Sequence, residues 1–482
     1  PMRGESGVQR GSLFNGQGDP STPGRPSVAG VERVGPEAMP IPHIPVVPIG
    51  YGNADRFLAA MQGASVPDGW QGGLGHRYHL GDDRVQARVA VWPERGERAM
   101  KEVVNTFGSI KGSIYPDELV IVGAHRDAWG PGALDDVSGT VSVLEAARAW
   151  GAMLRSGVRP LRTMIFATWD AEEWGLIGST EWVEEHDEML DRQAVAYINM
   201  DVVVGGSTFG ASGTMSLKQL MHDVTREVPQ PGDSVSILAA WTARAGSGDS
   251  LPVLGDLGGG SDFTGFYNHL GIPSIEFGFG GRGGSYHSAY DSWSFVERFA
   301  DPGYRQHVAA AQVASVLLAR FANADIVPFE YGDLGTYLAS LVERSRKEPG
   351  ADAIVGALTD LESAATLFAT LGSRFSIARN GALQANALDP ATAAKINALL
   401  RQVERTLRRP EGLANRPYLR NLVFAADRDN GYANVQLPTI IEALKDDDPE
   451  AARQSAHELA GRIRTAAELL DRARASLPGA GD

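Results

Sequence analysis

Glu118-Leu-Val-Ile-Val-Gly-Ala-His125-Arg-Asp127, Arg162-Thr-Met-Ile-Phe-Ala-Thr-Trp169-Asp-Ala-Glu172-Glu173 and Val195-Ala-Tyr-Ile-Asn-Met-Asp201 decide the fold. Each is a short, continuous apolar run that ends in acids or a histidine. Runs of this length, separated by stretches of helical periodicity, mark strands buried on both faces of a parallel sheet. In open α/β sheets, ligands and catalytic groups gather at the carboxyl ends of the strands. The spacing therefore predicts an α/β domain with a mostly parallel, doubly wound sheet. Its chemistry should sit where those acids and His125 converge.

Outward from this stretch, a helix is expected from Ser138 as N-cap through Trp150, with Leu134-Asp135-Asp136 on the Gly/Pro-rich loop before it. Asp170 with Glu173 three residues on also fits a capping box at the start of a second helix. A third helix is expected over 216–227, then a strand at Gly271–Phe277 and a glycine-rich loop closing on Tyr286-His287. Residues 1–99 are rich in Gly and Pro. There Ile44–Gly50 and Val85–Trp92 read as strands and Asn53–Met61 as a short helix, which together make a small mixed domain. Beyond about residue 325 the strands disappear. Stretches 334–347, 351–371, 390–408, 438–445 and 449–476 carry apolar residues at helical spacing. The expected organisation is thus 1–99, 100–324 and 325–482, the last all-helical.

A chain of 482 residues is too long for one ordinary core. A net charge of −15 argues against a nucleic-acid partner. The absence of cysteine excludes a disulfide framework, thiolate metal ligands and a cysteine nucleophile. No run of about 18 apolar residues occurs, so no membrane-spanning helix is expected.

His125, Asp135, Glu173, Asp201 and His287 form the constellation with the most chemistry. Imidazole and carboxylate together suit a borderline divalent ion such as zinc. Two such ions would need a bridging carboxylate, and Asp135, on the turn between strand and helix, is the natural bridge. His125 and Asp201 would complete one ion, Glu173 and His287 the other. Asp127, two residues past His125, is placed to hold the imidazole's other nitrogen. One of Glu172 and Glu173 can face a metal while the other moves a proton, and spacing alone does not say which.

His125-Arg-Asp-Ala-Trp, Leu134-Asp135, Thr168-Trp-Asp-Ala-Glu-Glu-Trp-Gly-Leu-Ile-Gly-Ser-Thr-Glu-Trp182, Ala196-Tyr-Ile-Asn-Met-Asp201 and Tyr286-His287-Ser carry a resemblance. They are similar to the glutamate carboxypeptidase II and transferrin receptor group of co-catalytic zinc exopeptidases. The likeness extends from Val8-Gln-Arg-Gly and Gly18-Asp-Pro-Ser-Thr-Pro-Gly24 to Asn430-Gly-Tyr-Ala. It implies two zinc ions on His125, Asp135, Glu173, Asp201 and His287, with Asp135 as bridge. It also implies Glu172 as general base and Tyr286 as the group that steadies the developing oxyanion. A structural calcium is implied at Thr22, Glu181, Glu184 and the carbonyl of Arg25. A partial apical, protease-associated domain, a homodimer through the helical domain, a peptide substrate and an extracytoplasmic location complete what the resemblance implies. By the same resemblance the chain begins part-way through the apical domain and is a piece of a longer protein.

Departures from the group bear on the substrate. The lysine–tyrosine pair that grips a terminal glutamate reads Gly431-Tyr432, Ser12 stands for an asparagine, and Ser261 for another beside Gly260. The arginine patch is reduced to Arg282 within Phe277–Gly284. Loss of a charge-assisted contact of about 1.5–3 kcal/mol relaxes glutamate preference. The expected activity is therefore removal of a terminal amino acid from peptides, more than strict C-terminal glutamate cleavage. A non-catalytic, receptor-like relative is the competing class, and the five filled ligand positions speak against it. Asp135-Asp136 further resembles the Asp-Asp of related aminopeptidases, where the intervening peptide is often cis.

Overall fold

The computed structural model describes residues 3–13, 16–92, 94, 96–246, 250–281 and 283–479. The front of the chain is largely irregular. Among its described residues it holds one α-helix, α1 (Tyr51–Ala60), close to where a short helix is expected, and three 3-10 turns. Neither Ile44–Gly50 nor Val85–Trp92 is a strand. Alternation marks two faces but supplies no partner for the ladder. Among the described residues of this segment the pairing is confined to an isolated bridge between Ser65 and His79. Val89, Val91 and Trp92 accordingly stay exposed.

The sheet domain begins at β1 (Thr106–Ile110) and β2 (Tyr115–His125), followed by α2 (Val137–Arg155) and β3 (Arg162–Trp169). Helices α3 (Ile177–Glu185) and α4 (Asp187–Gln193) lead to β4 (Ala194–Asn199) and β5 (Thr208–Gly213). After α5 (Lys218–Glu227) and α6 (Ile237–Ala245) comes β6 (Ser274–Gly280), displaced three residues from the expected Gly271–Phe277. The strand order is β1-β3-β2-β4-β6-β5. The inner pairs β3-β2, β2-β4 and β4-β6 are parallel, and both edge strands run antiparallel. Every residue from Glu118 to His125 is buried, so both faces of β2 are covered, as a continuous apolar run requires.

Helix α2 starts two residues earlier than Ser138 as its cap would set it. Asp136 is its cap, accepting from the Gly139 amide at 2.9 Å, while Ser138 Oγ donates to the Leu134 carbonyl at 2.6 Å. A side chain on Gly139 would drive its Cβ to 1.6 Å from the Met200 carbonyl. That glycine lets the start of α2 lie directly against the end of β4, which draws Asp135 and Asp201 together.

Beyond α7 (Trp293–Phe295), α8 (Arg305–Asn323) returns across the sheet against α2, β2 and β3. The helical domain then comprises α9 (Tyr331–Ser345), α10 (Val355–Gln384), α11 (Pro390–Val403), α12 (Pro438–Lys445) and α13 (Pro449–Ala475). Between α11 and α12, β7 (Phe424–Ala426) pairs with β8 (Asn434–Gln436), so the region is not all-helical as expected. Helix α10 also runs past residue 371. Gly372, the residue after the expected end, lies inside the helix at a close contact: a Cβ there would lie 2.5 Å from the Gly332 amide of α9. Ala351–Gln384 is long and apolar enough, by length and composition alone, to cross a membrane. Here α10 is the central helix of the bundle, packed on α9 and α13. The bundle is fastened to the sheet by buried charge: Glu118 accepts from Arg162 Nε at 2.6 Å and forms an ion pair with Arg401, whose Nη1 lies 2.6 Å from its other oxygen.

Candidate metal centre and substrate cleft

The carboxyl ends of the strands converge on one cluster. His125 is the last residue of β2 and is 1% exposed. Its Nδ1 lies 3.0 Å from the Asp127 carbonyl, which can only accept, so Nδ1 carries the proton and Nε2 faces the cluster. His287 repeats the arrangement with the Arg10 carbonyl at 2.9 Å. Asp135 lies between them, Oδ1 3.1 Å from His125 Nε2 and Oδ2 3.1 Å from His287 Nε2. Asp201 Oδ1 is 3.5 Å from His125 Nε2, and Glu173 Oε2 is 3.1 Å from His287 Nε2. The structure thus brings all five expected ligand residues together; among the described residues, the sets whose donor atoms all lie within 4.8 Å of one another are His125, Glu172 and Asp201, and His125, Asp135 and Glu173. Glu172 Oε2 stands further off, 3.9 Å from His125 Nε2. The Asp135–Asp136 peptide is cis.

The capping box at Asp170 and Glu173 is not formed. Ala171, at φ 56°, takes the N-cap of a 3-10 turn carrying Glu172 and Glu173, and Asp170 instead accepts from the Val104 amide at 2.9 Å. Asp127 holds the other nitrogen of His125 as expected, but through its carbonyl. Its carboxylate, 3.6 Å from that nitrogen, accepts the amides of Glu172 and Glu173 at 3.0 and 3.2 Å. Ser261, expected to bind substrate, is 4% exposed and donates to Asp201 Oδ2 at 2.5 Å. Val202, next to Asp201, is held at φ 45°, which a β-branched residue rarely adopts.

The cluster pairs more acid with less base. The histidine hydrogen bonds outweigh the burial of Asp135 and hold it down at about 2. Burial opposes protonation of His287, yet hydrogen bonds to Asp135 and Glu173 lift it to about 9. Burial likewise opposes His125, but the Glu172 charge and hydrogen bonds to Asp127, Asp135 and Asp201 carry it well above the usual imidazole range. Glu172 is pushed well above the usual carboxylate range, chiefly by burial. Glu173 Oε1 is buried with no hydrogen-bond partner. Two facing imidazoles, a carboxylate divided between them and an orphaned carboxylate oxygen fit a pair of divalent cations in donor type and in direction.

Two cavities open from the cluster. The larger, about 750 Å³, is lined by His125, Asp135, Glu172, Asp201, Glu276 and Tyr286, among others. The smaller, about 90 Å³, is lined by Ser12, Gln17, Glu173, Arg416, Arg428 and Tyr432, among others. Tyr286 stacks on His287 with ring centroids 3.7 Å apart, and its hydroxyl lies 3.4 Å from that of Tyr432. A side chain on Gly260 would come within 2.6 Å of the Tyr432 ring. Arg282 lies outside the described residues.

Of the expected calcium residues, Glu181 meets the 18–27 turn, accepting from the Asp19 and Ser27 amides at 2.5 Å each. Thr22 Oγ1 is buried without a partner. Burial raises Glu181 to about 7 and Glu184 to about 8. The Arg25 amide donates to the Thr22 carbonyl at 3.0 Å.

Three contributors escape sequence reading. Asp291 accepts the amides of Leu134 and Asp135 at 2.8 and 3.0 Å and fixes the bridging loop. Arg10 works through its main chain, which leaves no side-chain signature. Asp262 is a further buried carboxyl, 1% exposed and pushed up to about 7 by burial.

Residues 105–310 match the profile of Peptidase family M28, and residues 352–471 that of the Transferrin receptor-like dimerisation domain. The sheet domain belongs to peptidase family M28. A probable glutamate carboxypeptidase of Arabidopsis thaliana is 36% identical, over 91% of this chain and 62% of that protein. The aminopeptidase NAALADL1 of Rattus norvegicus is 34% identical, over 87% of this chain and 60% of that protein. The chain thus spans less than two thirds of the length of either relative. A zinc aminopeptidase from Bacillus subtilis aligns with a TM-score of 0.35 and 24% identity, over 46% of this chain and 50% of that one. That likeness is too slight to bear on the site.

Proposed function

We propose that this M28 protein is a two-zinc exopeptidase that removes a terminal amino acid from peptides. His125 and Asp201 would hold one ion and Glu173 and His287 the other, with Asp135 as the bridge. The observation that carries this reading is the division of the Asp135 carboxylate, one oxygen at 3.1 Å from each imidazole Nε2. Bound there, the cations would supply Lewis acidity and a water that ionises near neutral pH.

The chain's own groups supply the rest. Glu172 is fixed by the Asp127 carboxylate through its amide and kept protonatable by burial. Those properties suit taking a proton from the attacking water and passing it to the leaving amine. Tyr286, steadied by stacking on His287, would donate its hydroxyl to the scissile carbonyl oxygen as charge develops there. In the smaller cavity Arg416 is bound to Glu442 and Arg428 to Asp446, so neither cation is free to grip a carboxylate. Together with Gly431 this supports a relaxed preference for glutamate. The buried Thr22 hydroxyl and the raised Glu181 and Glu184 support a calcium ion that ties the front segment to α3. The dimerisation domain supports a homodimer.

The test is zinc-loaded full-length protein on a dipeptide panel free or blocked at each end, beside Glu172→Gln. The variant should keep both ions, by elemental analysis, and lose roughly 10²–10⁴-fold in kcat. Near-normal turnover in that variant would remove Glu172 from the role of base.

A further inference from the structure

We propose that Glu276 makes the larger cavity a pocket for a positively charged group on the substrate residue that precedes the scissile bond. The inference rests on the exopeptidase reading and names the substrate class of that site.

Strand β6 alternates. Ile275, Phe277 and Phe279 are buried in the core, and Glu276, Gly278 and Gly280 occupy the opposite face. The antiparallel register of β5 sets Ser212 beside Glu276, Gly210 beside Gly278 and Thr208 beside Gly280. These six residues line the cavity whose other end is His125, Asp135, Glu172 and Asp201. A Cβ at Gly210 would meet nothing within 4 Å, so this wall is open to an incoming chain. Glu276 is the one ionisable side chain on it.

The neighbours of Glu276 leave its charge uncompensated. Asn199 and Ser212 flank Glu276 in the strand register, and no ion pair reaches it among the described residues. Burial raises it to about 7, and the Asp201 charge pushes the same way. Among the described residues, the other charged side chain lining the cavity outside the metal cluster is Arg244 of α6, whose guanidinium donates to the Phe209 carbonyl on the edge strand β5. Glu276 lies one strand further in, in register with Asn199 of β4, two residues before Asp201. The charge nearest the candidate metal centre is therefore negative. An ammonium group entering the cavity gains a buried counter-charge, whereas a carboxylate would face Glu276 and Asp201 together. The ammonium can be a free α-amino group or a basic side chain.

The experiment compares wild type with Glu276→Gln, as zinc-loaded full-length protein, on four dipeptides: Leu-Leu, acetyl-Lys-Leu, acetyl-Leu-Leu and acetyl-Glu-Leu. Leu-Leu offers the α-amine alone, acetyl-Lys-Leu the side-chain ammonium alone, and acetyl-Leu-Leu neither. Wild type should favour at least one ammonium substrate over acetyl-Glu-Leu in kcat/KM. Glu276→Gln should cost that substrate about tenfold more than it costs acetyl-Leu-Leu, the scale of a charged hydrogen bond. Which substrate falls identifies the source of the ammonium. An equal fall on all four, or a wild-type preference for acetyl-Glu-Leu, overturns the proposal while leaving an exopeptidase. Calorimetric binding of leucinamide and acetyl-lysinamide separates the two readings. Binding about tenfold weaker in the variant upholds the pocket even if no peptide is cleaved, and that second result would sink the exopeptidase reading alone.

Discussion

His125 and His287 both turn Nε2 toward Asp135 and Nδ1 toward a main-chain carbonyl. The carbonyl that steadies His125 is two residues away, whereas the one that steadies His287 is 277 residues away. The first half of the site is set by the end of a buried strand and the turn that follows it. The second half is assembled by docking of the front segment on the loop that carries Tyr286 and His287. Arg10 grips that loop through both main-chain groups, its amide donating to the His287 carbonyl at 2.9 Å. Local geometry therefore holds one imidazole and tertiary packing the other, and Asp135 is where the two halves meet.

Removing that meeting point should have the largest effect. Asp135→Ala deletes the shared partner of both imidazoles, so both halves should lose metal together. The affinity loss should exceed the roughly 10–100-fold typical of a group outside the coordination shell. Elemental analysis after dialysis checks it: two ions retained would mean that the halves bind independently and that Asp135 bridges nothing.

This division also explains what the sequence discloses. Glu118–His125 and Ala194–Asn199 are legible because burial on both faces demands continuous apolar runs, and Asp135 and Asp201 stand beside those strand ends. The helices beyond residue 330 are legible because one face of each is buried. The end expected at residue 371 falls short because Gly372, of low helix propensity, sits inside α10 where two helices touch. The alternation in Val85–Trp92 misleads because the number of faces can be read locally and the presence of a partner strand cannot. Arg10 and Asp291 are unreadable for another reason. They act through or upon the backbone at long range, so their residue types carry no trace of the task.

Acidity sharpens the comparison. His287 is lifted to about 9 by Asp135 and Glu173, and His125 rises well above its usual range beside Glu172. Both are therefore protonated at pH 7 before metal arrives, and each must release a proton to coordinate. For His287 the sign is fixed: below about pH 9 protons compete, and zinc affinity falls as pH falls. Between pH 9 and 7 the His287-side ion should weaken by up to about tenfold per unit, with protons released on binding. Titrations in buffers of different ionisation enthalpy measure that release. Affinity independent of pH across this window would show that the imidazoles are neutral before binding.

The smallest effect should come from loosening the docked segment without touching the metal cluster. Arg3 donates from Nε to the Gly284 carbonyl at 2.7 Å and from Nη2 to the Tyr286 carbonyl at 2.8 Å. Arg3→Ala removes both bonds and leaves the Arg10 carbonyl and every candidate ligand in place. The contacts are partly exposed, so solvent screening limits their worth to about 1 kcal/mol, or roughly fivefold. Because the loop carries Tyr286 as well as His287, the loss should divide between a few-fold lower kcat and a few-fold weaker second ion. The ion on the His125 side, held by its own turn, should bind as before. A calorimetric titration that resolves two sites decides the matter: equal weakening of both would show that the front segment supports the whole cluster and that the His125 half has no independent footing.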